Sequence, residues 1–266
     1  MTRLATSPIT FVLASLLTLS LGLATATSAQ TLYAVEWQPD QGILATIDPA
    51  DGSIISTIGN VTPVTNQSNG QRGLAMDPTT GTMYLLAGNP QELYTVDLGS
   101  AALTLVGAMS QRLRDIAFDD TGQLYGVSVS GGGDPNSLFT IDKADGTQTL
   151  QVALNGTNGH GLAFNPGMPT LLWHIAGGVF ETIEIGTNTI TPIGLSGTGT
   201  ASDILALFFD PFSGEFRYFD SSDEYFAVTA AGVQSSIGTA GDNFFAAAWD
   251  QASTQLPVEL ASFSVD

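Results

Sequence analysis

Basic or titratable side chains recur at one position of a repeated segment. Arg72, Arg114 and His160 each stand five residues before an aspartate or asparagine that ends a short apolar stretch, and Arg112 lies two residues further out. Guanidinium groups bind carboxylates and sulfates through paired, charge-assisted hydrogen bonds, and histidine titrates near neutral pH. If the segments are equivalent in the fold, these side chains meet and predict a site for a small anion or an acidic or sulfated sugar.

Three acidic residues allow other interpretations of the same place. Asp115, Asp203 and Asp242 could pair with the arginines, which would make the basic residues structural. The same carboxylates could instead be the acid and base of a carbohydrate-active or lactonase-like hydrolase. With 25 acidic residues in the chain, their presence alone does not select an enzyme. The candidate ligand-binding residues are therefore Arg72, Arg114, His160, Arg112, Asp115, Asp203 and Asp242.

The sequence lacks the patterns of several catalytic and metal sites. There is no cysteine, so there is no thiolate nucleophile, thiolate metal site or disulfide framework. Two histidines are too few for a multi-histidine metal centre, and no G-x-S-x-G elbow is present. His174, inside a strand-like segment, is predicted to be a packed, half-buried histidine. We expect no catalytic residue, no metal and no cofactor.

The segment that follows the basic residues recurs five times. Each copy ends in a marker residue, and the markers are spaced 42, 46, 45 and 40 residues apart: Asp77, Asp119, Asn165, Asp210 and Asp250. One full unit reads as four strands, "GLAMD", "TMYLLA", "ELYTVD" and "LTLVG", and the marker with its Pro and Gly neighbours is typical of a tight turn. A period of this length with four strands predicts the blades of a β-propeller.

The two ends of the chain supply complementary parts of one unit. "TLYAVEW", "GILATID" and "SIISTIG" give a second, third and fourth strand with no first strand before them, and "FAAAWD" gives a first strand near the C-terminus. Pairing the two parts predicts an all-β, five-bladed propeller with a closed ring. A β-sandwich or open β-solenoid is the alternative, but neither predicts complementary half-units.

Small side chains alternate with large ones along each first strand. Two residues before the marker stand Ala75, Ala117, Ala163, Phe208 and Ala248, and four before it stand Gly73, Asp115, Gly161, Ala206 and Ala246. This alternation predicts a shallow face on one blade that receives the large side chains of its neighbour. Asp115 and Phe208 are the exceptions.

Charge and the N-terminal segment suggest an exported protein. The formal net charge of −19 repels nucleic acid and anionic membranes, and the scattered carboxylates are typical of a solvated acidic surface. Residues 1–29 combine Arg3, an apolar run and small residues up to Ala29, which predicts a signal peptide cleaved before Gln30. We expect a secreted, periplasmic or cell-surface protein, with a propeller over 30–252 and a tail over 253–266.

Units such as "GLAMDPTTGTMYLL" over residues 31–250 resemble the β-propeller repeats of secreted bacterial proteins, in the neighbourhood of YVTN, NHL and WD40-like propellers. The tail "LPVELASFSVD" is similar to the LPVEL-x-x-F opening of C-terminal sorting or fibronectin-like modules in exported Bacteroidota-type proteins. The resemblance implies a fold rather than an activity. We expect a monomeric, non-catalytic protein that binds a small molecule, glycan or cell-surface protein through the face with the variable loops. A structural module of a larger surface protein is the other alternative.

Overall fold

The computed structural model describes residues 30–38, 41–61, 72–88, 90–129, 133–156, 160–198 and 203–250. These residues form 21 strands in five sheets, and none of them forms a helix that is long and apolar enough to cross a membrane. The predicted signal peptide and the whole of the predicted tail lie outside them.

Each sheet is one blade. The strands of the first three blades, in chain order, are β1 (Leu32–Gln38), β2 (Gln41–Ile47) and β3 (Ile54–Asn60) in blade 1; β4 (Arg72–Asp77), β5 (Thr82–Ala87), β6 (Glu92–Val96) and β7 (Leu103–Ala108) in blade 2; and β8 (Leu113–Phe118), β9 (Leu124–Ser128), β10 (Ser137–Ile141) and β11 (Gln148–Ala153) in blade 3. Blade 4 contains β12 (His160–Phe164), β13 (Leu171–Ala176), β14 (Val179–Glu184) and β15 (Thr189–Pro192). Blade 5 contains β16 (Ser196–Gly197), β17 (Ile204–Asp210), β18 (Glu215–Asp220), β19 (Glu224–Val228) and β20 (Val233–Thr239), and the last strand, β21 (Phe244–Trp249), joins blade 1.

The ring is closed by the two ends of the chain. Strand β21 pairs antiparallel with β1, where Leu32 stands opposite Trp249. Beyond this pair, the backbone nitrogen of Thr31 donates to Asp250 Oδ1 at 3.0 Å, and the nitrogen of Asp250 donates to the carbonyl of Thr31 at 2.9 Å. The inner strands then contact one another in ring order, β21–β4–β8–β12–β17–β21. The predicted five-bladed propeller is confirmed, including its composite first blade.

The marker residues close the turns after the inner strands. Asp77 Oδ1 accepts hydrogen bonds from the nitrogen and hydroxyl of Thr79 at 2.8 and 2.7 Å. Asp119 binds Thr121 in the same way, at 3.0 and 2.7 Å. These local bonds explain why a carboxylate or amide recurs there, since it satisfies backbone donors that the turn leaves without strand partners.

The core is divided among the five interfaces between blades, with one apolar cluster in each. Small residues allow the inner strands to approach. A Cβ on Gly161 would lie 2.5 Å from the Cβ of Leu207 in the next blade, and Gly73 has a φ of +68° with the nitrogen of Ile116 only 2.9 Å from its Cβ position. The predicted shallow face is therefore confirmed at these two positions.

One strand was not predicted. The two-residue strand β16 follows the last strand of blade 4 in the sequence and pairs parallel with the outer strand β20 of blade 5. It covers part of a sheet edge that would otherwise present free backbone groups.

Candidate functional site

The inner strands define the two ends of a central channel. We call the end where β4, β8, β12, β17 and β21 begin the upper rim, and the end where they turn into the second strands the lower mouth. The seven residues predicted to bind a ligand lie at or just inside the upper rim, because they occupy the first positions of inner strands or immediately precede them.

Arg114 is committed to an internal ion pair at the upper rim. Its side chain is nearly buried, and Nη2 lies 2.8 Å from Asp203 Oδ1 while Nε donates to the carbonyl of Ile204 at 3.1 Å. These partners precede or begin the inner strand of blade 5, so the guanidinium reaches past blade 4. The ion-pair interpretation is confirmed for this arginine, with Asp203 as its partner.

Asp115 is enclosed directly below this pair, with 2% of its surface exposed. Its carboxylate accepts backbone hydrogen bonds from Ile116 at 2.9 Å, Leu162 at 2.9 Å and Leu207 at 3.1 Å. Burial raises the pKa of Asp115 to about 7, against the lowering effect of these N–H groups and of Arg114. The carboxylate is occupied by the backbone and is not presented to a ligand.

His160 belongs to a largely buried chain of polar side chains that links the ends of blade 3 strands to blade 4. Its Nδ1 lies 2.8 Å from His174 Nε2, and its Nε2 lies 2.9 Å from Asn136 Oδ1. His174 Nδ1 lies 3.0 Å from Glu181 Oε1, and Asn155 Nδ2 donates to Glu181 Oε2 at 2.8 Å. His174 has no exposed surface, so the prediction that it is half-buried was wrong, although it is packed.

Two proton arrangements satisfy this chain. With the Asn136 oxygen facing His160, His160 donates from Nε2, and the two rings together hold three protons and one positive charge. With the Asn136 amide turned over, its NH₂ group donates, and both histidines are neutral. Burial is the main cause that lowers the pKa of His160 to about 3; His174 and Arg114 act in the same direction, and the carboxylate of Glu181 acts against them. Burial would raise the pKa of Glu181, but the hydrogen bonds from His174 and Asn155 hold it below the usual value.

The remaining upper-rim candidates are more accessible. The guanidinium of Arg72 lies 5.6 Å from the ring centre of Phe245, and Arg112 is exposed immediately before β8. Asp242 is half-buried two residues before β21. The structure joins Arg114 to Asp203 and gives His160 and Asp115 internal partners, whereas ligand binding by the seven residues stays a prediction.

A cavity of about 110 Å³ opens at the lower mouth. It is lined by side chains of all five inner strands, most of them apolar, and includes the whole row of positions two residues before the markers: Ala75, Ala117, Ala163, Phe208 and Ala248. Aromatic residues and prolines from the end of the strands and the turns complete it, among them Phe209, Trp249, Pro78 and Pro166. The methyl side chains leave space along the axis that larger residues would fill.

Sequence reasoning missed this cavity and most of the histidine chain. The row of alanines is a usable signal, although the alternation of small and large residues by itself predicts only a blade-packing surface. Glu181 also had a signal, because "HIAGGVFE" is a hairpin around Gly178 in which His174 and Glu181 stand directly opposite one another. Side chains at opposed positions of antiparallel strands are near neighbours. Within the described residues, no group of three or more His, Cys, Asp or Glu side chains is arranged to hold a metal ion.

No protein-family model matches the sequence, and no curated protein matches it. The structure is similar to a chain in the crystal structure of a nidogen/laminin complex, with a TM-score of 0.56 and 13% sequence identity. The similarity covers 82% of this chain and 81% of that chain. At this identity the similarity shows the propeller fold alone.

Proposed function

We propose that this chain is a non-catalytic propeller that binds a partner or ligand by enclosing an apolar group in the cavity at the lower mouth. The observation that carries the proposal is the cavity itself, to which all five blades contribute apolar side chains. Recognition sites are usually concave, mostly apolar and few per protein.

The physical basis is the removal of apolar surface from water. Each CH₂ group of a ligand that enters such a cavity contributes about 0.8 kcal/mol. The site needs no induced opening, because the small side chains at Ala75, Ala117, Ala163 and Ala248 already leave the space. The similar chain comes from a complex of two proteins, which supports a binding role for this propeller as well.

Anion binding at the upper rim has less support. Arg114 and His160 are bonded within the protein, so an anion would compete with Asp203 for the guanidinium and would meet a histidine that is 1% exposed. A hydrolase that uses Asp115 has less support again, since its carboxylate is buried and accepts three backbone hydrogen bonds.

Export is a separate part of the proposal. The pattern of residues 1–29 supports cleavage before Gln30 and release from the cytoplasm. Expression of the full chain in a bacterial host should give an extracytoplasmic protein whose N-terminal peptide, measured by mass spectrometry, begins at Gln30. A protein retained in the cytoplasm with its first 29 residues would contradict this.

Indole, a small neutral ring, tests the cavity. It should raise the Tm of the protein in a saturable way, because it binds the folded state only. Ala248→Phe should abolish the rise, because its ring would occupy the cavity that Phe208 lines from the same row. Ala102→Phe, a matched change at an exposed position beside β7, should leave the rise intact. No Tm shift in the unmodified protein, or an equal shift in a folded Ala248→Phe variant, would overturn the proposal.

A further inference from the structure

We propose that the occupant of the lower mouth is a basic amphipathic peptide segment of a partner protein. One apolar side chain of the segment enters the cavity, and flanking lysines or arginines face carboxylates at the mouth. This inference rests on the proposed function and names the partner's chemistry.

An apolar surface extends from the cavity on one side of the mouth. Among the described residues six large apolar side chains are exposed, and four of them lie on the outer strands of the blades: Ile55, Leu105, Leu150 and Val233. The other two, Met168 at 41% and Phe212 at 67% exposure, lie in the turns after the inner strands of blades 4 and 5. Phe212 packs edge-on against Trp249, with ring centres 5.3 Å apart, and Trp249 lines the cavity. We call Met168, Phe212 and Trp249 the apolar ledge.

Carboxylates flank the mouth. Asp119 and Asp120 of blade 3 line the cavity; Asp119 is buried and bonded within its own turn, whereas Asp120 is exposed. The nearby turn of blade 3 adds exposed Asp142 and Asp145. In a ring of five, blade 3 lies across the channel from blades 5 and 1, which supply Phe212 and Trp249. Exposed Asp51 and half-buried Asp250 lie at the same end of blade 1. The mouth therefore combines an apolar ledge with carboxylates on neighbouring and facing blades.

The cations near the lower mouth do not offset this charge. Among the described residues, the basic side chains at that end are Lys143 and Arg217, and they form ion pairs with Asp77 and with Asp210 and Glu215. The other described basic residues lie at the upper rim. The mouth thus adds a local negative field to a chain whose net charge is −19, and such a field favours cationic partners and speeds their association.

Charge also excludes the competing occupants of an apolar surface. A second copy of this chain or an anionic membrane would bring like charge to the mouth, and both would be repelled within a Debye length of roughly 8–10 Å. A neutral apolar group would fill the cavity but leave the carboxylates without partners. A segment with an apolar anchor and basic flanks matches both the cavity with its ledge and the carboxylates around it.

Three fluorescein-labelled peptides test the inference by fluorescence anisotropy at 0.15 M salt: GKKLWLKKG, GKKSGSKKG without the apolar anchor, and GEELWLEEG with reversed charge. We expect GKKLWLKKG to bind at least tenfold more tightly than either of the others. Equal binding of GKKLWLKKG and GKKSGSKKG would show diffuse attraction to an acidic protein and would overturn the inference.

Site variants with matched controls locate the binding. Phe212→Ser and Ala248→Phe should each weaken the binding of GKKLWLKKG at least tenfold, and Asp120→Asn should weaken its binding about threefold. Leu150→Ser on an outer strand and Asp134→Asn in an exposed loop of blade 3 should have no effect. Phe212 is exposed, so its variant should remain folded even if Ala248→Phe does not. Control variants that weaken binding as much as the site variants would contradict the inference.

The indole experiment separates this inference from the proposed function. If indole binds but the protein does not prefer GKKLWLKKG over the other two peptides, the inference of a basic segment is wrong and the proposed cavity function stands. Failure of both indole and GKKLWLKKG to bind would overturn both.

Discussion

The carboxylate of Asp115 accepts a hydrogen bond from the backbone nitrogen of Leu207 at 3.1 Å, although the two residues are 92 positions apart in the sequence. The same oxygen accepts from Leu162 in the intervening blade at 2.9 Å. One side chain of blade 3 therefore holds the inner strands of blades 4 and 5, at a row where the other blades have glycine or alanine. The exception in the repeat acts as a bridge across the channel.

Replacing Asp115 with alanine should lower the free energy of unfolding by about 2–4 kcal/mol, because the buried N–H groups of Leu162 and Leu207 would lose their acceptor. Asp115→Asn keeps one oxygen acceptor and should cost less. Urea unfolding measures both values, with Asp120→Ala as the exposed control. A change below about 0.5 kcal/mol for Asp115→Ala would show that the bridge contributes little to stability.

The fold was predictable because its determinants are local and repeated. The turn chemistry at Asp77 and Asp119 involves residues two positions apart, and the half-units at the chain ends fix the number of blades. The partners at the upper rim were harder to predict, because Arg114 meets Asp203 only through the curvature of the ring, with the whole of blade 4 between them in the sequence. A period aligns equivalent residues but does not show which side chains cross the channel. Nor does it show that a row of alanines leaves a cavity.

Replacing Arg114 should destabilise the protein more than replacing Arg112. Arg114→Ala removes a nearly buried guanidinium that bonds Asp203 and the carbonyl of Ile204, so we expect a loss of about 1–3 kcal/mol in the free energy of unfolding. Arg112→Ala, two residues away and exposed, should change it by less than about 0.5 kcal/mol. If chemical denaturation gives the same loss of unfolding free energy for both variants, the ion pair does not contribute to the stability of the fold.

His160 should make stability depend on pH. Its pKa falls from 6.5 to about 3 on folding, because it is buried near His174 and Arg114, while the carboxylate of Glu181 acts in the opposite direction. The unfolded chain therefore binds a proton that the folded protein excludes. The stabilisation is complete above pH 6.5 and is lost as the pH falls from 6.5 towards 3.

The measurement is the slope of unfolding free energy against pH in the unmodified protein and in His160→Gln, whose amide does not titrate. Near pH 5 the unmodified protein should take up about one more proton on unfolding than the variant. Parallel curves between pH 4 and 6 would show that His160 is protonated in the folded state.

Salt should stabilise the protein. Its formal net charge is −19, and the loss of one positive charge, Arg3, with the predicted signal peptide makes it −20. Repulsion within such a surface disfavours the folded state at low ionic strength, and about 1 M salt shortens the Debye length to roughly 3 Å. The Tm should therefore rise with sodium chloride concentration. A Tm that stays constant or falls would show that the carboxylates are already balanced by local hydrogen bonds.

Truncation at the C-terminus should distinguish the closing strand from the tail. Ending the chain at Gly241 removes β21, which exposes the edge of β1 and the apolar surfaces that Ala247 and Trp249 cover, so we expect aggregation or insolubility. Ending it after Ser253 keeps β21 and the bonds between Asp250 and Thr31, and should give a soluble protein with nearly unchanged Tm. Solubility, size-exclusion chromatography and thermal unfolding compare the two. A soluble protein that ends at Gly241 and unfolds cooperatively would show that the other four blades and β1–β3 are stable without closure of the ring.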